Sequence, residues 1–305
     1  MNLLSTLIFA LIPIFVTIGL GYLAARHGIF NDQDSKKFVK LVLTFMLPLH
    51  VFGGLWGTSR QILVENVPLM GWLVLSMTVC YLVMILVYRF GFKNSRQLAT
   101  LRAMSIANPS VPFIGSAVLP LLFSASNSAI TIGICSLTVN IIMLPIAFDS
   151  LSSDHSAIKR LTDTFKKPLV IAAVLGFLLT LCGSQMPTQL TSTFDLLGKG
   201  AGGVAIFAAG IVLGTRHLSF DKTILTTVMM KNIVFPLVVL LIMMAAGVSH
   251  DLIRLVVIAL AIPTATMPST LAIQFNVNEK ELASTQFWST ACSLITLSAF
   301  VLALA

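Results

Sequence analysis

The chain has 305 residues, 57% of them hydrophobic and only 10% charged, with a formal net charge of +8. A soluble domain carries about 25% charged residues, so this composition excludes an ordinary globular protein and leaves a helical membrane bundle. The positive balance is no nucleic-acid footprint, because the basic residues form short clusters between apolar runs without aromatic interleaving.

Ten apolar runs of roughly 20 residues follow one another, the length a membrane-crossing helix needs. They are Leu3–Ala24, Phe38–Trp56, Leu69–Tyr88, Ala99–Phe123, Ser128–Phe148, Leu169–Cys182, Phe194–Gly214, Ile224–Ala246, Leu252–Phe275 and Ser284–Leu304. The first has no basic region before it and is long enough to span, so it reads as a retained helix and not a cleaved leader. The sixth is short. The seventh holds Gly198-Lys199-Gly200-Ala201-Gly202-Gly203, a small-residue stretch suited to close helix packing.

Lysine and arginine orient these runs. The odd-numbered connections and their flanks carry Arg26, Lys36, Lys37, Lys40, Arg89, Lys93, Arg96, Arg102, Lys159, Arg160, Lys166, Lys167, Arg216, Lys222 and Lys280. The even-numbered ones carry only Arg60 and Arg254, while Lys199 and Lys231 fall inside runs. This asymmetry puts the odd loops in the cytoplasm and both termini outside, in a multi-pass protein of the cell inner (plasma) membrane. The longest polar connection, 149–167, lies at the midpoint. It divides a first five-helix repeat, 1–148, from a second, 168–305, with the connector cytoplasmic. A five-span unit ends on the side opposite its start, so the second copy is inverted. The expected fold is an all-α polytopic membrane protein of ten transmembrane helices, a 5+5 inverted repeat in which broken helices four and nine cross.

The breaks are the two proline-bearing interruptions in those helices, with Pro109 and Pro263 about 154 residues apart. They read Asn108-Pro109-Ser110-Val111-Pro112 and Pro263-Thr264-Ala265-Thr266-Met267-Pro268-Ser269. In lipid every backbone group needs a partner, so broken helices are tolerated only where protein or a watery cavity covers them. Interrupted segments at matching places in two halves point to a transporter's substrate site. Half-helix N-termini there carry partial positive charge and suit a carboxylate. The Asn108 amide and the hydroxyls of Ser110, Thr264, Thr266, Ser269 and Thr270 add donors. The bland alternative is that prolines merely kink helices, as is expected of Pro13, Pro48, Pro145 and Pro236.

Lys231 lies about seven residues, or roughly 11 Å, inside the eighth run. A cation at that depth costs on the order of 3 kcal/mol unless it is paired or snorkels toward the cytoplasmic face. Its functional reading is a fixed charge that favours an anion or anchors the core. All eleven acidic residues fall in loops or at span ends, which leaves no mid-membrane carboxylate for sodium or proton coupling. Asp195 and Lys199, four apart, read as a local ion pair. His50 is the membrane-embedded group that titrates near neutrality, with a structural hydrogen bond and proton coupling both open. Asn140 and Asn232 are either helix glue or pocket lining. The four cysteines show no metal spacing and read as small buried hydrophobes. No nucleotide-binding, metalloprotease or paired-carboxylate motif is present, so the chain is read as a non-enzyme needing no cofactor or metal.

At these residues the chain resembles the auxin efflux carrier family, in its bacterial branch of malonate, malate and related organic-acid permeases. The matching segments are Lys40-Leu41-Val42-Leu43 with Leu47-Pro48, then Asn108-Pro109, and Asn140 with Pro145. Gly203-Val204-Ala205-Ile206-Phe207-Ala208-Ala209-Gly210, Lys231 with Pro236, and Pro263 with Pro268 complete the set. The resemblance covers essentially the whole chain. It implies a fold similar to sodium–bile acid symporters, with spans one, two, six and seven as a scaffold. Spans three to five and eight to ten would form a transport core that moves in elevator fashion, with a homodimer through the scaffold. The family's plant members have a long loop after span five and an acidic residue in span three, and this chain has neither.

The reading that results is a secondary transporter of a small organic anion, a mono- or dicarboxylate such as malate or malonate. Its substrate-binding set is Asn108, Pro109, Ser110, Pro112, Asn140, Lys231, Pro263, Thr264, Thr266, Pro268 and Ser269. The alternatives are a cation-coupled symporter of bile-acid or sterol type, or a non-transporting membrane sensor or channel component. A sensor should carry a soluble signalling domain and a channel a continuous polar stripe; the chain has neither. The implied partners are the anion and the lipid bilayer, with no nucleic acid.

Overall fold

The computed structural model of the chain describes residues 3–151, 166–215 and 219–304. Most of the central connector, with Lys159 and Arg160, and also Arg216, lies outside the described residues. The protein is 84% helical, with no strand among the described residues. Among the described residues, six helices are long and apolar enough to cross a membrane: Asp32–Trp56, Val67–Gly91, Ala125–Leu151, Thr188–Thr215, Lys222–Ala245 and Glu279–Ala303. Val111–Leu122 and Pro168–Leu181 are shorter apolar helices, and Leu3–Arg26 runs for 24 residues. The chain is thus an all-α, multi-pass membrane protein.

Two of the expected spans are interrupted at the predicted prolines. One divides into Arg96–Ala107 and Val111–Leu122, the other into His250–Ala261 and Met267–Phe275. Three of the four prolines expected only to kink helices have a more specific effect, while Pro13 lies within the continuous helix Leu3–Arg26. π-Helical turns at Val42–Met46, Val139–Met143 and Met230–Val234 each end two residues before a proline, at Pro48, Pro145 and Pro236. A proline lacks the amide for its own helix bond and collides with the carbonyl four residues back, and a wider turn there relieves both faults.

The described chain packs into two compact units. The first holds residues 3–70, 111–137 and 166–215. Its helices meet backbone to backbone at glycines. A Cβ on Gly21 would strike the Phe207 carbonyl, and one on Gly210 would strike the Ile18 carbonyl. A Cβ on Gly202 would stand 2.8 Å from the Ala117 amide, and one on Gly176 2.8 Å from Leu55 Cβ. The seventh run's small residues therefore do what their size predicts.

The second unit holds residues 71–110, 138–151 and 219–304. Its glycines, Gly71, Gly91 and Gly247, face open space. Polar side chains tie its helices instead. The Arg102 guanidinium grips the Glu281 carboxylate with two bonds of 2.7 and 2.8 Å, joining Arg96–Ala107 to Glu279–Ala303. These side chains are only 12% and 14% exposed. Arg102 also stacks over the Tyr88 ring at 5.8 Å. The cysteines need a correction: Cys135 is buried, but Cys80 and Cys292 are half-buried and Cys182 is exposed. A thiol is close to apolar, so a lipid-facing position suits it as well as a buried one.

Candidate functional site

Both breaks leave backbone groups that the helices cannot satisfy, and within the second unit they satisfy each other. The Ser110 amide donates to the Pro263 carbonyl at 2.7 Å, and the Ala265 amide donates to the Asn108 carbonyl at 3.0 Å. Pro109 and Thr264 thereby form an isolated antiparallel β-bridge. Two short extended segments cross inside a helical membrane protein because neither proline at a break can donate. Asn108, Ser110 and Thr264 are all buried, with no more than 3% of their surface exposed.

A side-chain network braces the crossing from the next helices. The Thr264 amide donates to Ser289 Oγ at 3.0 Å, and Ser289 Oγ donates to Asn232 Oδ1 at 2.6 Å. Asn232 Nδ2 in turn donates to the Ser289 carbonyl at 2.8 Å. Asn232 is therefore helix glue in this arrangement. Ser269 Oγ lies within hydrogen-bond distance of both the Thr266 carbonyl and Gln286 Oε1 and shares its one proton between them, which commits one of the hydroxyls expected at the site. Thr270 is exposed and donates to the same Thr266 carbonyl. By contrast, Thr264 Oγ1 is buried and has no hydrogen-bond partner among the described residues.

Lys231 is wholly buried, with 0% of its surface exposed, so it does not snorkel. Its ammonium donates to the Leu260 carbonyl at 2.8 Å and lies 5.3 Å from the centre of the Phe235 ring. Leu260 stands in the last turn of His250–Ala261, where carbonyls lack helical partners and carry the negative end of the helix dipole. A charge-assisted bond there offsets part of the cost of burying the ammonium. Sequence alone points only to half-helix N-termini at the break. The structure adds the opposite pole, the C-terminal end of His250–Ala261, and that is where the lysine is bound. The following helix, Met267–Phe275, begins at Thr266 with no side-chain cap.

The remaining expected residues divide between the units. Pro268, in the first turn of Met267–Phe275, and Asn140, buried in the π turn Val139–Met143, belong to the second unit with the crossing. Pro112 and His50 belong to the first. His50 lines a cavity of about 640 Å³ there, with Ser116, Ser126, Ser128, Asp195 and Lys199. Asp195 and Lys199 form the expected ion pair at 2.8 Å, with the lysine side chain 72% exposed.

Sequence reasoning missed Ser289 and Gln286 at the crossing, and the Arg102–Glu281 pair. The first two had a usable signal. Thr285, Gln286, Ser289, Thr290 and Ser293 recur at three- and four-residue intervals, a polar stripe along an otherwise apolar helix. Arg102 and Glu281 are 179 residues apart and gave none.

The family described as "Membrane transport protein" matches residues 6–301 of the chain. Three relatives, each named "Uncharacterized transporter YfdV", come from Escherichia coli strain K12, Escherichia coli O157:H7 and Shigella flexneri. Each is 31% identical over 283 residues, covering 88% of this chain and 88% of the relative. With the crossed breaks and an apolar helical body, these matches place the chain in the auxin efflux carrier family of membrane transport proteins.

Proposed function

We propose that this transporter is a secondary carrier of a small organic anion, a mono- or dicarboxylate such as malate or malonate. The observation that carries the reading is the reciprocal pairing of the two breaks, which gathers buried polar groups, among them the unpartnered Thr264 hydroxyl, at one place. The first-turn amides of Met267–Phe275 have no side-chain cap, and free amides at a helix N-terminus favour a carboxylate. Asn108 and the unpartnered Thr264 hydroxyl supply further hydrogen bonds. Lys231 holds the end of His250–Ala261 in place and adds a fixed positive field nearby. The reading takes the chain as ten spans in two inverted five-span halves, with the basic loops cytoplasmic. Asn108, Thr264 and Lys231 belong to one compact unit, which suits elevator-type carriage of the site as a body.

Uptake of a labelled organic-acid panel into proteoliposomes tests this. Saturable uptake of small mono- or dicarboxylates is expected. Asn108→Ala should weaken apparent affinity roughly 10- to 100-fold, the effect of losing one charge-assisted hydrogen bond in a dry site. Failure to take up any organic acid, or wild-type affinity in a well-expressed Asn108→Ala protein, would overturn the assignment.

A further inference from the structure

A second cavity lies in the same unit as the crossing but is chemically its opposite. It is a groove of about 400 Å³ between the helices Val67–Gly91 and Lys222–Ala245, floored by Ile106. Every lining side chain is apolar except Ser76 and the weakly polar thiol of Cys80. The lining runs from Trp72 to Met84 on one helix and from Met230 to Ile242 on the other. Twelve residues of helix rise about 18 Å, close to the roughly 15 Å of hydrocarbon in one bilayer leaflet.

We propose that this groove is a binding site for a single lipid acyl chain. Three features choose that occupant. The lips of the groove, Val79, Val83, Val238 and Ile242, are 45–52% exposed and continue into the outward-facing apolar surface of both helices. Trp72, near the start of its helix, stands at one end of the groove, where an indole meets the headgroup level and the chain can enter beside it. A second copy of the protein would need small residues for close backbone approach or polar side chains across the seam. Only Ser76 and Cys80, both on one helix, are small; the other twelve lining side chains are bulky and apolar.

The occupant touches the transport machinery through its floor. Ile106 stands two residues before Asn108, and Phe235 is the ring over which the Lys231 ammonium lies. The acyl chain therefore completes the apolar cover on that side of the buried charge.

The wild-type protein in nanodiscs containing a phospholipid with a diazirine midway along one acyl chain provides the test. Two faces of one helix serve as probe and control. Val234, Val238 and Ile242 line the groove, whereas Leu237, Leu241 and Met244 do not, and both sets are similarly exposed at 38–59%. Photo-crosslinks mapped by peptide mass spectrometry should concentrate on the groove set. Filling the groove with Ser76→Phe should lower them roughly tenfold, about what two displaced methylenes are worth, while crosslinks at the control set stay unchanged. Val79→Phe, at the lip, is the second variant should Ser76→Phe express poorly. Equal labelling of both sets, or labelling that neither variant alters, would overturn the site. Disulfide crosslinks between copies through a cysteine placed at Val238 would assign the groove to a second protomer and overturn it too.

Discussion

The two units of this protein solve the same problem in different ways. Helices in lipid gain nothing from hydrophobic burial against each other, so they associate through close packing or hydrogen bonding. The first unit leans on packing, because Gly21 against Phe207, Gly210 against Ile18 and Gly202 against Ala117 leave no room for a methyl group, and adds single hydroxyl bonds such as Thr180 to the Leu55 carbonyl. The second unit uses polar bonds, with Lys231 on Leu260, Asn232 on Ser289 and Arg102 on Glu281. Backbone contacts at glycine can be filled by nothing else, whereas polar bonds can be exchanged for a ligand. The difference supports the proposal that substrate chemistry belongs to the crossing and not to the glycine seams.

The contrast can be broken by substitutions on either side. Gly210→Leu should have the largest effect on folding, because its Cβ meets backbone and no side-chain rotation relieves the clash. More than about 3 kcal/mol of destabilisation is expected, read as loss of monodisperse protein in size-exclusion chromatography. A stable, monodisperse Gly210→Leu protein would remove the packing account of the first unit.

Arg102→Ala should cost about 3 kcal/mol, because it leaves the mostly buried Glu281 carboxylate without its cation, with only the Asn278 amide still donating to it. The paired replacement Arg102→Leu with Glu281→Met should recover much of that loss in a thermal unfolding assay. If the double variant is as unstable as the single one, the pair is not the tie between its two helices.

Ser289→Ala is a smaller probe of the crossing. It strands the Thr264 amide and Asn232 Oδ1 and should cost about 1–3 kcal/mol, with a weaker apparent substrate affinity and an intact fold. Lys199→Gln should do least. Its partner is Asp195 on an open wall of the first unit, and exposed ion pairs of this kind are worth less than about 1 kcal/mol. A large loss of stability in Lys199→Gln would show that charge matters in the first unit as it does in the second.

Much of this is legible in the sequence, for reasons that differ by element. Pro109 and Pro263 predict the interruptions because a missing amide acts locally, whatever surrounds it. Lys231 announces itself as a buried charge, but its partner does not, since Leu260 contributes a backbone carbonyl that any residue would have supplied. The π turns before Pro48, Pro145 and Pro236 look like kinks in sequence, because periodicity cannot separate a bend from a widened turn. The pairing of Asn108 with Ala265 and of Ser110 with Pro263 is tertiary, and only the likeness of the two interruptions hints at it. His50 is a candidate by its titration range alone, and what sequence could not show is that it lines a cavity within the first unit beside Asp195 and Lys199.

Uptake by a Lys231→Met protein in proteoliposomes, at matched expression, tests the central claim most directly. Methionine has similar length and no charge, so it keeps the packing against Phe235 while releasing the Leu260 carbonyl and the positive field. Organic-anion uptake is predicted to fall to background with near-normal protein yield, and Lys231→Arg should retain part of it. Full transport by Lys231→Met would contradict the claim that the charge bound at the broken helix serves the substrate site.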